Sequence, residues 1–294
     1  MAGSNWHWAV ISLVILVAGP GFRGGYSEAG SGWTKPTAIT RGIKVSYVQF
    51  TPDRRLLFVG NDSVMLSNPD GTGSITLFKY PGVRRAVMSP DMQKIVFDNG
   101  SDIFAANLDG GNVTPIADDP SILEGGSWFS PDGKRLVYFT IDDKNQVYGI
   151  WTMDPDGGNK ANIASSKGSQ IFRHPRWSPD GTRISFFTVS KGVMSISVMD
   201  PDGKERVDLT SRSESPSRQA SWSPSSKWLV YSRRSKKFDL WLMDAEGKNK
   251  MQLTHLPGNE AKPVWSLDGK KIAFLCSRCQ RKGKSDLYLI SRSR

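Results

Sequence analysis

Six four-stranded antiparallel sheets set in a ring, an all-β six-bladed β-propeller, are the expectation for this chain of 294 residues. Three observations carry it. A tryptophan-and-turn unit recurs six times, with Pro52, Pro90, Pro131, Pro179, Pro224 and Leu267 at its proline position, separated by 38, 41, 48, 45 and 43 residues. A repeat of about 40–45 residues is the length of one four-stranded blade. A second turn-centred element follows each unit at a fixed place. Ten tryptophans and 38% apolar residues supply the filling between blades, because one sheet cannot bury both of its faces alone and stacked neighbours can.

Before the repeats, WHWAVISLVILVA (6–18) is the one long apolar run, and Gly19, Pro20 and Gly21 end it. Proline breaks a helix. The run suits a signal-peptide core of about 7–15 residues and is short for a spanning helix of about 20. No Lys or Arg precedes it, and Val17-Ala18-Gly19 is the candidate cleavage site. Residues 1–21 are therefore expected to direct export, either as a cleaved signal or as a retained membrane anchor. Residues 22–34, rich in Gly and Ser, read as a tether, and residues 35–294 as the propeller.

The blades follow in order. VQFTPDRRLLFV (48–59) and VMLSNPDGTGSITL (64–77) make the first, with Arg54 at the turn-glycine position. AVMSPDMQKIVF (86–97) and IFAANLDGGNVTPI (103–116) make the second, with Met92 there. SWFSPDGKRLVYF (127–139) with IWTMDPDGGNKANI (150–163), and PRWSPDGTRISFF (175–187) with ISVMDPDGKERVDL (196–209), keep the full pattern. SWSPSSKWLVY (221–231) and LWLMDAEGKNKMQL (240–253) form the fifth, where Ser225-Ser226 replaces Asp-Gly. VWSLDGKKIAF (264–274) and LYLISRSR (287–294) give a sixth that lacks its fourth strand. In each turn proline presets φ, Asp caps with its side chain, and Gly takes the left-handed position. The following runs alternate with period two, as strands do. KPTAITRG (35–42) resembles the fourth-strand sequences VTPIADDP (113–120) and MQLTHLPG (251–258). It is expected to complete the last blade and close the ring, which removes exposed edges.

These Trp-Ser-Pro-Asp-Gly units, followed by Met-Asp-Pro-Asp-Gly turns, resemble the propeller repeats of the TolB family, a periplasmic part of the Tol–Pal envelope system. They are similar as well to the propellers attached to prolyl-oligopeptidase-type enzymes. The resemblance covers roughly residues 35–294. It implies a six-bladed fold and, on the Tol–Pal side, an envelope component that binds a lipoprotein.

No catalytic constellation emerges. The histidines are His7 in the N-terminal segment, and His174 and His255, both expected in loops after fourth strands. No Gly-x-Ser-x-Gly elbow occurs, and the sixth unit runs to the last residue, so a peptidase domain is not expected. Asp-Pro-Asp-Gly at 154–157 and 200–203 opens like a calcium loop but lacks its later ligands, and its recurrence suits a hairpin turn. The two cysteines, Cys276 and Cys279, have half-zinc spacing with no second pair. They form either a local disulfide or free thiols. A lactonase- or cyclase-like propeller enzyme would need a channel metal or an acid–base cluster. The expectation is a non-enzymatic protein without cofactor or metal.

Net charge is +11, which favours an acidic partner: nucleic acid, anionic lipid or an acidic protein face. No RNA-binding aromatic motif is present, and export argues against nucleic acid. The loop between strands two and three of blade 5 carries Arg233, Arg234, Lys236 and Lys237. The same loop of blade 6 carries Arg278, Arg281, Lys282 and Lys284 around the cysteines, and Asp239 and Asp286 offset them. On that face blades 2 and 3 offer Asp118, Asp119, Glu124, Asp142 and Asp143. The expectation is a protein-binding scaffold or accessory subunit, docked through the basic loops on a membrane-associated complex with an acidic surface, with anionic lipid head groups as a further contact. The alternative reading is a solvated, charged surface.

Overall fold

The computed structural model describes residues 32–40, 43–168, 170–214, 216–279 and 285–293. The expected signal or anchor (1–21) and residues 22–31 of the tether lie outside them. The described residues form six four-stranded antiparallel sheets. β1 (Thr37–Ala38) precedes blade 1, which is β2 (Val45–Phe50), β3 (Leu56–Gly60), β4 (Ser63–Ser67) and β5 (Ile75–Lys79). Blade 2 is β6 (Arg85–Met88), β7 (Lys94–Asp98), β8 (Ile103–Asn107) and β9 (Thr114–Ala117). Blade 3 is β10 (Leu123–Phe129), β11 (Leu136–Asp142), β12 (Val147–Met153) and β13 (Ala161–Lys167). Blade 4 is β14 (Gln170–Trp177), β15 (Ile184–Ser190), β16 (Val193–Met199) and β17 (Val207–Asp208). Blade 5 is β18 (Pro216–Trp222), β19 (Trp228–Arg234), β20 (Phe238–Asp244) and β21 (Met251–Gln252). In blade 6, β22 (Asn259–Trp265), β23 (Lys271–Ser277) and β24 (Ser285–Ser291) are joined on the outside by β1. The first strand of each blade lies innermost and touches its neighbours, the circuit closing from β22 to β2.

The repeated turn builds itself from local hydrogen bonds. In blade 3, Ser130 Oγ donates to Asp132 Oδ1 at 2.6 Å, and the Arg135 N–H donates back to Ser130 Oγ at 3.0 Å. The same pair links Ser178 to Asp180 and Ser266 to Asp268, each at 2.6 Å. Such side-chain caps offer the backbone an alternative to continuing the ladder. The hydroxyl beside it holds the carboxyl of Asp132 below the usual carboxylate range.

The strands then sort by depth. Every residue of β3 is buried, whereas the outer strand β5 is exposed or half-exposed. One core cluster joins blades 1, 2 and 3 through Leu57, Ile95, Phe97, Leu136 and Tyr138. Another joins blade 1 to blade 6 through Val48, Phe58, Ala273 and Leu287. Burying each such aliphatic side chain is worth about 1.5–3 kcal/mol.

A threonine after the fourth strand fixes three of the blades. The Ile196 N–H donates to Thr210 Oγ1 at 2.8 Å, and the Leu240 N–H to Thr254 Oγ1 at 3.0 Å. In blade 6 the Leu287 N–H donates to Thr40 Oγ1 at 3.0 Å, although Thr40 lies 247 residues away. β1 pairs antiparallel with β24, Thr37 opposite Leu289 and Ala38 opposite Tyr288. The contact extends to Trp33, bridged to Arg292 and set edge-on to Trp265 at 5.4 Å.

Candidate functional site

The described residues of the basic loops end or follow β19 in blade 5 and follow β23 in blade 6, which are neighbouring blades. Arg234 and Lys236 are exposed at the β19–β20 turn. Arg233 lays its guanidinium over the Trp241 ring at 4.4 Å, a cation–π contact that fixes its direction. Lys237 is ion-paired with the buried Asp239. Arg278 is exposed at φ 64° in the β23–β24 turn. Arg281, Lys282 and Lys284 lie outside the described residues. Cys276 and Cys279 are joined as a disulfide with Cα atoms 5.8 Å apart. It closes a loop too short to add much chain-entropy stabilisation, but it braces the turn that carries Arg278.

The two turns are tied to each other from beneath. The Phe238 N–H in blade 5 donates to Asn259 Oδ1 in blade 6 at 3.2 Å. Beside it, Gly258 lies against the other turn: a Cβ there would sit 2.1 Å from Ser277 O, so only glycine fits. Glu260 accepts the Leu256 N–H at 2.8 Å and the Leu240 N–H at 3.3 Å, and Thr254 Oγ1 bonds it as well. Burial pushes the Glu260 carboxyl up to about 7, with Asp239 adding to the rise.

The acidic side of that face is smaller than its sequence suggested. Glu124 is buried and accepts the Asp119 N–H at 3.2 Å, so it braces a loop rather than facing solvent. Asp118, Asp119 and Asp143 are exposed, and Asp142 is half-exposed.

A second constellation lies at the centre of the ring. Each inner strand contributes one residue four positions before its turn Ser or Thr: Tyr47, Arg85, Gly126, His174, Gln219 and Lys262. The register of β10, β14, β18 and β22 slips around this position. Gly126, His174 and Lys262 sit there at φ 69°, 53° and 54°. Such bulges re-aim a side chain that regular pleating would send elsewhere. His174 thus belongs to the inner strand of blade 4, not to a loop as its sequence position suggested. His255 does lie after β21, its Nδ1 2.9 Å from Gln252 Nε2.

Long side chains cross this space. Arg85 of blade 2 places Nη2 2.9 Å from His174 Nδ1 of blade 4. It passes blade 3 at Gly126, where a Cβ would lie 2.8 Å from Arg85 Nη1. Arg176 of blade 4 donates to the Tyr47 hydroxyl of blade 1 at 3.4 Å and lies over the Trp128 ring at 4.4 Å. The Lys262 ammonium donates to Ser46 O. Asp98, at the end of β7, accepts the Gly126 N–H at 3.2 Å. Burial raises the Asp98 carboxyl and the Tyr47 phenol above their ordinary values. Burial, then the nearby charges of Arg85, Lys262, Arg173 and Arg176, holds His174 well below its ordinary value and therefore neutral.

The chain spans about half or less of the length of the curated relatives it matches first, 17% of one and 53% of another. The protein TolB homolog of Chlorobium chlorochromatii is 32% identical over 148 residues, 50% of this chain and 32% of that protein. Among solved structures, TolB from Acinetobacter baumannii superposes with a TM-score of 0.64 at 19% identity, over 85% of this chain and 64% of that one. Oligogalacturonate lyase from Vibrio parahaemolyticus gives 0.62 at 14% identity, over 87% and 93%. The fold is thus shared by TolB and by an enzyme alike, and at these identities the likeness concerns the fold. The TolB beta propeller domain description matches residues 34–237 and 135–294, overlapping spans that cover the six blades. With its six Ser-Pro-Asp-type turns and four-stranded blades, the chain belongs to the TolB beta-propeller family.

Proposed function

We propose that this protein is exported and works by binding rather than by catalysis, as a scaffold or accessory subunit on the periplasmic side of a membrane-associated protein complex. The observation that carries this reading is the pairing of two cation-bearing turns on adjacent blades. Arg234, Lys236 and Arg278 are exposed there, Arg233 is steered by Trp241, and Phe238 and Asn259 bond the two blades beneath. A braced turn loses less conformational entropy on docking than a mobile one. Clustered cations steer and orient an acidic partner more than they add affinity. Export rests on the apolar run at residues 6–18 and on the resemblance to the Tol–Pal propellers. An acidic lipoprotein is the partner class that membership of the TolB family favours.

The test is co-purification from detergent-solubilised membranes. Wild-type protein is expected to retain its partner at low salt and lose it progressively as salt rises. A variant with Arg233, Arg234, Arg281 and Lys282 all changed to Glu is expected to lose it at low salt. Retention by that variant at low and at moderate salt would sink the proposal. Binding to anionic vesicles without any protein partner would reassign the patch to lipid.

A further inference from the structure

We infer that two copies of this chain pair face to face, the cationic loops of blades 5 and 6 in each copy lying over the acidic loops of blades 2 and 3 in the other. The inner strands touch in chain order around the circuit. Blade 6 therefore stands across the ring from blade 3, and blade 5 from blade 2. Neighbouring strands in a blade are antiparallel, so the strand two–three loops and the links between blades all emerge on one face. On that face the two sectors carry opposite charge. Arg234, Lys236 and Arg278 are exposed in one, and the nearby acids Asp239 and Asp286 are buried. In the other, Asp118, Asp119 and Asp143 are exposed and Asp142 is half-exposed, with Lys144 the one cation in the segments 118–123 and 142–147.

Each sector also has apolar surface among its charges. Leu123 and Val147 are 41% and 37% exposed. They sit on the two sides of β11 at the same end of blade 3, Leu123 opposite Ile141 and Val147 opposite Asp142. The other exposed large hydrophobic residues, Ile75, Val113, Val207, Met251 and Leu267, adjoin the turns of the opposite face. In the basic sector Phe238 is half-exposed, and Arg234 lies over its ring at 5.9 Å. Apolar side chains within a charged surround are the anatomy of a protein interface. A second copy can be turned over about a twofold axis in the plane of the ring, at right angles to the line joining the sectors. Each basic sector then meets an acidic one, and the contact is made twice. Such an isologous contact closes as a dimer. A partner that was only acidic would cover one sector and leave Leu123 and Val147 in water, whereas a second copy covers both. Exposed charge pairs contribute little each, so the dimer is weak and sensitive to salt. It covers the loops assigned above to docking, so an acidic partner and a second copy compete for them, but the inference does not rest on that partner.

Sedimentation velocity of the purified full chain, over a range of protein concentration at low and at high sodium chloride, tests this. A reversible dimer is expected at low salt and raised concentration, giving way to monomer as salt screens the charges. Association that persists unchanged at high salt would assign it to apolar contacts such as residues 6–18 and overturn the inference. A charge exchange supplies the sharper test. Asp118→Lys with Asp143→Lys makes the acidic sector basic, and Arg234→Glu with Lys236→Glu reverses the exposed cations of blade 5. All four side chains are exposed, so both variants should unfold at the wild-type temperature. Each alone is expected to self-associate more weakly by about tenfold. Their equimolar mixture is expected to form a one-to-one heterodimer at low salt, because each altered sector then faces an opposite charge. Recovery on mixing is something a misfolded variant could not show. Val147→Ser should weaken the wild-type dimer without altering its salt dependence. A chain that stays monomeric at low salt, or a mixture that associates no better than either variant alone, overturns the inference. Neither result touches the co-purification test of an acidic partner, which reads a different complex.

Discussion

Arg54, Met92 and Ser226 hold φ at 69°, 58° and 58°, where Gly133, Gly181 and Gly269 hold 73°, 73° and 66° in the other blades. A non-glycine residue in this region costs about 1–2 kcal/mol, and part of that returns through a stiffer unfolded chain, about 0.4–1 kcal/mol. Arg54 is exposed, so nothing in the core opposes its removal. Arg54→Gly is expected to stabilise the protein by about 0.5–1 kcal/mol, read as a higher denaturation midpoint; an unchanged or lower midpoint would refute the strain. Met92 is a poorer choice because it packs against the core of blades 1 to 3. Glu260 makes a second prediction. Its carboxyl is raised by burial to about 7 from an ordinary 4.5. Between those values the folded state keeps a proton that the unfolded chain has released. Its contribution to stability is therefore largest below about 4.5 and declines as pH rises to about 7. At roughly 1.4 kcal/mol per unit, the swing is on the order of 2–3 kcal/mol. Glu260→Gln should remove that part of the slope in denaturation midpoints measured from pH 4.5 to 7.5. Identical slopes in the two proteins would show that Glu260 does not titrate in this range.

At the scale of the strand and turn, legibility follows the range of the interactions. The Ser-Pro-Asp turn closes within five residues, Arg135 N–H to Ser130 Oγ, so its sequence spells its structure. The buried middle strands could be read for a related reason: Leu136–Asp142 is an apolar run bounded by turns on both sides. The channel residues could not be found this way. Tyr47, Arg85, Gly126, His174, Gln219 and Lys262 share a position and not a residue type, and Tyr47, Arg85, Gly126, His174 and Lys262 act through partners on other blades. Arg85 and His174 meet across 89 residues and Arg176 and Tyr47 across 129. The usable signal was the spacing alone, four residues before each turn hydroxyl. His174 was misplaced because the unit preceding it in β14 reads as loop until its pairing with β15 is known. Glu124 misled for the opposite reason: an acidic residue near a loop is usually solvated, and this one is buried and bonded to the backbone.

For the molecule as a ring, the question is what keeps blade 6 from ending in an open edge. β24 would present unpaired N–H and C=O groups without β1, and exposed edges template association. Residues 32–40 cover it. The Thr34 N–H donates to Ser291 O at 2.7 Å, the Ile39 N–H to Leu287 O at 2.6 Å, and the Leu287 N–H to Thr40 Oγ1 at 3.0 Å. Ile39 also packs in the cluster shared by blades 1 and 6. At about 0.5–1.5 kcal/mol for each hydrogen bond, and with the burial of Trp33 and Ile39 added, the clasp is worth several kcal/mol. It joins the first strand to the last, so it couples both ends of a structure whose repeats otherwise contact only neighbours. A chain beginning at Gly32 should therefore unfold in one cooperative step and stay monodisperse by light scattering. A chain beginning at Ile43 should unfold at lower temperature, with a broader transition, and associate as its concentration rises. Matching midpoints and matching scattering from the two chains would mean that blade 6 is held by its own three strands and that the clasp is incidental.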